Sequence, residues 1–320
     1  MKQIIECVPN FSEGRDMEKL DKILDCFRNV EGVLLLDHSS DADHNRTVVT
    51  VVGESEPLKH AVVAAMGKAA ELIDLRTHEG QHPRMGATDV VPFIPVENVT
   101  MEECIALSKE VAALAYEKHG IPSFLYEKSA SRPERENLAN VRKGQFEGMS
   151  EKVKQPEWTP DFGTDIHPSA GITAIGARMF LVAFNVNLDN PDVEVASSIA
   201  KCVRFLSGGL RFCKAIGIDI SEKGMSQVSM NMTDYTKTPI YRSYELIGVE
   251  ARRYDANIVE SEIIGLVPKA ALTGALDFYM KGKEYDKNNY NLLVDLTKQH
   301  LKVADFSADQ ILEKIIEDRL

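Results

Sequence analysis

Apolar residues along this chain switch repeatedly between strand-like spacing and the 3.6-residue spacing of a helix, and the order of switching is the same in both halves. In the first half, Ile4 to Val8 reads as a short strand. Met17 to Phe27 reads as a helix with Leu20, Ile23, Leu24 and Phe27 on one face, ended by Gly32. Val33 to Leu36 and Thr47 to Val52 read as strands, Pro57 to Leu75 as a helix capped by Ser55 or Glu56, and Thr88 to Ile94 as a strand. A further helix opens at Thr100, with Glu103 completing a capping box, and a further strand runs from Pro122 to Tyr126. In the second half, strand, helix, strand, strand, helix and strand fall on Phe180 to Leu188, Pro191 to Leu206, Phe212 to Ile218, Gln227 to Met232, Pro239 to Tyr254 and Ile258 to Ile264. Each half thus carries β-α-β-β-α-β, the split βαβ order. The fold expected is α+β, two subdomains spanning 1–180 and 181–320, each a sheet with helices packed on one face, with terminal helices over 283–320.

Composition agrees with two cores. A chain of 320 residues has length for about two domains, and 44% hydrophobic with 27% charged residues is ordinary for globular proteins. The net charge of -12 opposes nucleic acid and anionic lipid, so neither is an expected partner, and an anionic ligand would need a local basic pocket. Five cysteines without a CxxC pair point to reduced thiols. Glu6 interrupts any signal-peptide core, and no apolar run approaches the ~20 residues of a membrane span. A soluble, cytoplasmic protein is the expectation.

His78-Glu79-Gly80-Gln81-His82 matches the HExxH of zinc hydrolases, which works only on a helix. Here Pro83 disfavours helix at His82, Gly80 weakens it, and no third ligand is declared, so no metal is expected. The stretch THEGQHPRMGATD instead places His82 beside Arg84 on a loop entering a strand, a position for a general base or, more simply, a satisfied turn histidine. HSSDADHNRT gathers His38, Asp41, Asp43, His44 and Arg46 at a strand end, as an acidic turn or a polar site. In PNFSEGRD, Asn10 and Ser12 suit capping of the next helix. GTDIHPSAGITAIGAR is small-residue-rich and leads into a buried strand, with glycines that admit a ligand close to backbone N–H groups. Arg132 to Pro168 is irregular and holds four prolines and the only tryptophan, as a functional segment or a surface crossover.

Taken together, ECVPNFSEG, NRT, EGQHPRMGATDVVPFIPV, EWTPDFG and GARMFLVAFNVNL resemble the formiminotransferase family over nearly the whole chain. The resemblance implies two ferredoxin-like α/β subdomains, a homodimer, and small-molecule substrates: N-formiminoglutamate as donor and tetrahydrofolate as acceptor at N5. It implies that His82 shuttles a proton from the attacking nitrogen to the leaving amine. The substrate carboxylates then call for arginine, with Arg46, Arg84 and Arg178 as candidates and Asn10 as a polar one. The family's folate segment falls on Gly163, Thr164, Asp165, Ile166, His167, Pro168, Ser169, Ala170 and Gly171. Ser39 stands where animal relatives carry a carboxylate thought to help the histidine, a role left to Asp41 or Asp43. No cyclodeaminase activity is expected. An alternative is formyl transfer from N-formylglutamate to give 5-formyltetrahydrofolate, and formiminoglycine is a further possible donor. A binding-only sensor would be expected to tolerate loss of His82.

Overall fold

The computed structural model describes residues 3–319, which divide into two compact units between Arg178 and Met179. In the first unit, β1 (Ile4–Cys7) and β2 (Asn10–Phe11) are one strand run broken at Pro9. There follow α1 (Met17–Leu24), β3 (Val33–Asp41), β4 (Arg46–Gly53), α2 (Ser55–Leu72), β5 (Thr88–Glu97), α3 (Met101–His119) and β6 (Ser123–Glu127). Two short helices, α4 (Leu138–Arg142) and α5 (Gln145–Lys152), precede β7 (Thr173–Ala177). The sheet runs β3, β4, β1 with β2, β5, β7, β6. From β5 to β3 this is fourth, first, third, second of the repeated order, all neighbours antiparallel, as a split βαβ unit requires.

Local chemistry sets the boundaries. Asp16, rather than Asn10 or Ser12, caps α1 by accepting from the Glu18 and Lys19 N–H groups. Glu54 rather than Ser55 or Glu56 is the cap residue of α2, which places Pro57 inside the first turn. Thr100 and Glu103 form the expected capping box, and Gly120 ends α3 at φ +63°.

Two features depart from the sequence reading. Thr173–Ala177 is itself a strand, inserted parallel between β5 and β6. Parallel strands are commonly buried on both faces, and here Val91, Leu125 and Ile175 face α1, α2 and α3, while Val90, Phe124, Tyr126 and Ala174 face a second core with Val141 and Met149 of α4 and α5. The stretch Arg132 to Pro168 is therefore a second covering layer. It is organised around the buried Arg135, which donates to Asp161 and to the Glu157 and Thr159 carbonyls and lies 4.9 Å over the Phe124 ring.

The second unit holds β8 (Val182–Leu188), α6 (Val193–Val203), β9 (Cys213–Ile220), β10 (Met225–Met232), α7 (Ile240–Ala251) and β11 (Ile258–Ile264). Its sheet order, β11-β8-β10-β9, is again fourth, first, third, second, and all antiparallel. Val182, Phe184, Val186 and Leu188 alternate into the core with Val228, Met230 and Met232. After β11 come α8 (Lys269–Met280), α9 (Tyr290–Leu301) and α10 (Leu312–Arg319), so the terminal helices begin before residue 283.

Candidate active site

The site forms where the β3–β4 hairpin meets the loop between α2 and β5. Asp41 pairs with Arg46 across the hairpin, and Asn45 turns the tip at φ 49°, a conformation asparagine tolerates. The Asn45 side chain accepts from the Gly14 N–H at 2.9 Å and donates to the Glu79 carbonyl at 3.0 Å. The Gln81 N–H donates to the Asp43 carbonyl at 3.1 Å. Gly80 lies so close to the hairpin that a Cβ there would stand 2.3 Å from the His44 carbonyl oxygen. The loop is thereby laid flat on the tip, and the rings of His82 and His44 meet edge to face, 6.0 Å apart at 79°. His44 Nδ1 in turn pairs with Asp41 at 2.7 Å. Asp41 thus reaches His82 only through His44, and Asp43 contributes its carbonyl to the loop.

Residues 78–82 are not helical. His78 Nε2 bonds the Asn45 carbonyl at 3.0 Å, and its Nδ1 accepts from Arg84 Nε at 3.1 Å. Arg84 spends its remaining nitrogens on Glu147 of α5, at 2.6 and 2.9 Å, on the His78 carbonyl and on Gln145. The HExxH letters therefore separate into a histidine that orients Arg84 and one that faces His44. Among the described residues no three His, Cys, Asp or Glu side chains are grouped to hold a metal ion.

Asp89 lies at the centre of the charge. The β2–β5 register steps from Asn10–Val90 to Phe11–Thr88, leaving Asp89 as the extra residue of a β-bulge. Its carboxylate is fully buried and receives Arg46 and Arg142 on one oxygen, each at 2.7 Å, and the Met85 N–H on the other at 2.9 Å. Burial by itself would raise its pKa, but Arg142 and Arg46 hold it below the usual carboxylate range. Arg46 also donates to Asn10 Oδ1 at 3.2 Å, and Asn10 to the Val8 carbonyl. His82 is half-buried, its Nδ1 fully so and without a hydrogen-bond partner among the described residues. Burial, then Arg46 and Arg142, outweigh Asp89 and the Pro83 carbonyl and push its pKa down to about 4. At neutral pH it is an uncharged imidazole whose buried Nδ1 is unpaired among the described residues.

The segment Gly163 to Gly171 lies against the same loop. His167 and Gly171 exchange backbone hydrogen bonds at 2.8 and 3.0 Å, and His167 Nδ1 accepts from the Ala170 N–H at 3.0 Å. Leu75 N–H donates to Ser169, Ala87 N–H to Ala170, and Ile172 N–H to Met85, so the segment is laced to both flanks of the His82 loop. Thr164, Asp165 and Pro168 are exposed; Gly163, Ile166, His167 and Ser169 are half-buried; Ala170 and Gly171 are buried. Ala170 packs in the core with both backbone groups engaged, and Ile166 packs against the second core.

The structure thus brings together His82, Arg46 and Asn10, with Arg84 one residue removed through His78. Arg178 lies elsewhere: its N–H donates to the Phe93 carbonyl, four residues and about 13 Å along β5 from Asp89. Nothing in the sequence alone singles out Asp89, Arg142 or Glu147. A lone carboxylate opening the apolar strand TDVVPFIPV is the nearest to a signal for the first.

Residues 4–178 match the model of the formiminotransferase domain, N-terminal subdomain, and residues 183–320 that of the formiminotransferase domain. The chain is 50% identical over 287 residues to the glutamate formimidoyltransferase of Streptococcus pyogenes serotype M1, covering 89% of this chain and 96% of that one. It is 44% identical over 288 residues to the glutamate formimidoyltransferase of Thermoplasma acidophilum, covering 89% and 95%. With the formimidoyltransferase-cyclodeaminase of Rattus norvegicus it shares 39% over 329 residues, which is 99% of this chain and 60% of that protein. The chain belongs to the formiminotransferase family.

Proposed function

We propose that this chain is a folate-dependent transferase that moves the formimino group of N-formimino-L-glutamate to N5 of tetrahydrofolate, giving 5-formiminotetrahydrofolate and L-glutamate. The observation that carries the reading is His82: an imidazole held neutral, with a buried and unmatched Nδ1, beside two arginines that share one buried carboxylate. Tetrahydrofolate supplies the nucleophilic nitrogen. His82 takes the proton that this nitrogen loses and returns it to the departing glutamate amine. A pKa near 4 leaves the free ring unprotonated and ready to accept. Substrate carboxylates arriving at the arginines offset the positive charge that depresses it, so the ring becomes more basic once the donor is bound. Arg46 is held for such a carboxylate by Asn10 and Asp89. Arg84 acts as a latch, tying the His82 loop to α5 through Glu147. Asp41, hydrogen-bonded to His44 Nδ1 at the hairpin tip, places a carboxylate near the His82 ring, which would favour a cationic amidinium over a neutral formyl group.

Folate contact is assigned to the exposed and half-buried part of the segment from Gly163 to Ser169. The two formiminotransferase subdomains are taken as 1–180 and 181–320, working as a cytoplasmic homodimer.

The test is a spectrophotometric assay with tetrahydrofolate and, separately, N-formiminoglutamate and N-formylglutamate. The expected result is a faster rate with the formimino donor. The variant His82→Ala is expected to lose roughly 10²- to 10⁴-fold in kcat while still binding tetrahydrofolate. A faster rate with the formyl donor would move the protein to formyl transfer, and unchanged turnover in the variant would remove His82 from the chemistry.

A further inference from the structure

Arg142 is a surface-looking residue in the sequence VRKG, yet α4 carries it into the site with only 13% of its side chain exposed. Among the described residues its guanidinium makes one hydrogen bond, from Nη2 to Asp89, and its buried Nε–H meets no partner. Asp89 is already shared: Arg46 and Arg142 both donate to Oδ2, and the Met85 N–H donates to Oδ1. Two guanidiniums on one carboxylate leave a local net charge of about +1 in a largely dehydrated place, which an incoming anion would neutralise. Arg84 does not compete for that anion, because Glu147 already meets it with both oxygens.

The position of this pair decides which anion. Arg46 follows His44 by two residues on the same hairpin, the His44 ring meets that of His82 at 6.0 Å, and Arg142 joins Arg46 on Asp89, so the pair lies beside His82. If His82 works on the transferred carbon, the group at the arginines must lie close to that carbon in the donor. The α-carboxylate is separated from it by only the α-carbon and the amine nitrogen. The side-chain carboxylate lies two bonds further away.

We infer that Arg142, paired with Arg46 across Asp89, is the receptor for the α-carboxylate of the donor, with Asp89 as the residue that positions both guanidiniums. This rests on the transfer reaction proposed above. It makes the pair a reader of an N-substituted α-amino acid, and it leaves recognition of the glutamate side chain to other residues.

The experiment compares wild type and Arg142→Gln with three donors: N-formimino-L-glutamate, its α-carboxamide and its side-chain carboxamide. For the parent donor the variant is expected to raise KM at least ~30-fold with a smaller change in kcat, the scale of losing one partner of a buried charge pair. For the side-chain amide the same rise is expected. For the α-amide, wild type and variant are expected to agree within about threefold, because the interaction is already absent. A residue that only braces the fold would depress all three donors alike, and that result overturns the inference, as does an unchanged KM for the parent donor. Sensitivity to the side-chain amide instead of the α-amide also overturns it. If wild type transfers no formimino group from any donor, it is the underlying reaction that fails. Should Arg142→Gln not fold by circular dichroism, Arg142→Lys carries the same comparison, with a smaller rise in KM expected for the two α-carboxylate donors only.

Discussion

Substituting Asp89→Asn tests the charge arrangement at its centre. The change is nearly isosteric and keeps an oxygen for the Met85 N–H, but it removes the charge and sets an amide NH2 where one oxygen accepted both guanidiniums. What it removes is the negative partner of two guanidiniums, each 2.7 Å from the same fully buried oxygen. Breaking a buried ion pair by removing one member costs about 3–5 kcal/mol, because the remaining charge is left uncompensated. The unit that contains it runs from Met1 to Arg178. At ~2.1 cal/mol/K per residue its unfolding entropy near the midpoint is about 0.37 kcal/mol/K, so the loss corresponds to a fall in Tm of about 8–13 °C. Melting followed by circular dichroism at pH 7 measures it directly. The double variant Asp89→Asn with Arg142→Gln adds a sharper check. Removing one of the two stranded cations relieves repulsion, so the double variant is expected to melt several degrees above Asp89→Asn alone. A Tm within about 3 °C of wild type for Asp89→Asn, or a double variant that melts no higher than it, would refute the claim that this carboxylate holds both arginines in place.

Two further outcomes follow from the geometry. The fold pushes the His82 pKa down to about 4, below the ~6.5 of an unfolded histidine, so the unfolded chain binds a proton that the folded one refuses. The contribution is complete above pH ~6.5 and is lost progressively as the pH falls toward ~4. Because the ring is partly exposed and screened, His82→Gln is expected to lose only about 1 kcal/mol less stability than wild type between pH 7 and pH 5 in urea titrations. Parallel pH curves would show that the ring is not depressed. Gly171→Ala forces a side chain onto a residue at φ +70°, with its Cβ 2.1 Å from the Met85 carbonyl oxygen. A loss of about 2–4 kcal/mol, read as a clear fall in Tm together with weakened tetrahydrofolate binding, is expected, and an unchanged melt would contradict the tight approach of this segment to the His82 loop.

What the sequence makes legible is what neighbours along the chain decide. The split βαβ order of both units is written in the apolar period, and the capping box at Thr100 lies within four residues. Pro83 and Gly80 suffice to deny a helix to the HExxH letters, a purely local argument that the loop conformation supports. The strand Thr173–Ala177 escapes because its five small or apolar residues, TAIGA, are buried on both faces and show no alternation. α4 and α5 escape because one is five residues long and the other carries Gly148 mid-helix, so neither displays a full apolar stripe. The site is harder still. Arg46 meets Asp89 across 43 residues, Arg142 meets it across 53, and Arg84 meets Glu147 across 63. No spacing rule spans such gaps, and the bulge that singles out Asp89 exists only as a register step between two strands. A histidine in a conspicuous motif can therefore be found by eye. The residues that set its charge environment are defined by what they meet in space, so Arg142, with nothing local to distinguish it from a solvated arginine, becomes visible only once α4 is laid over β5.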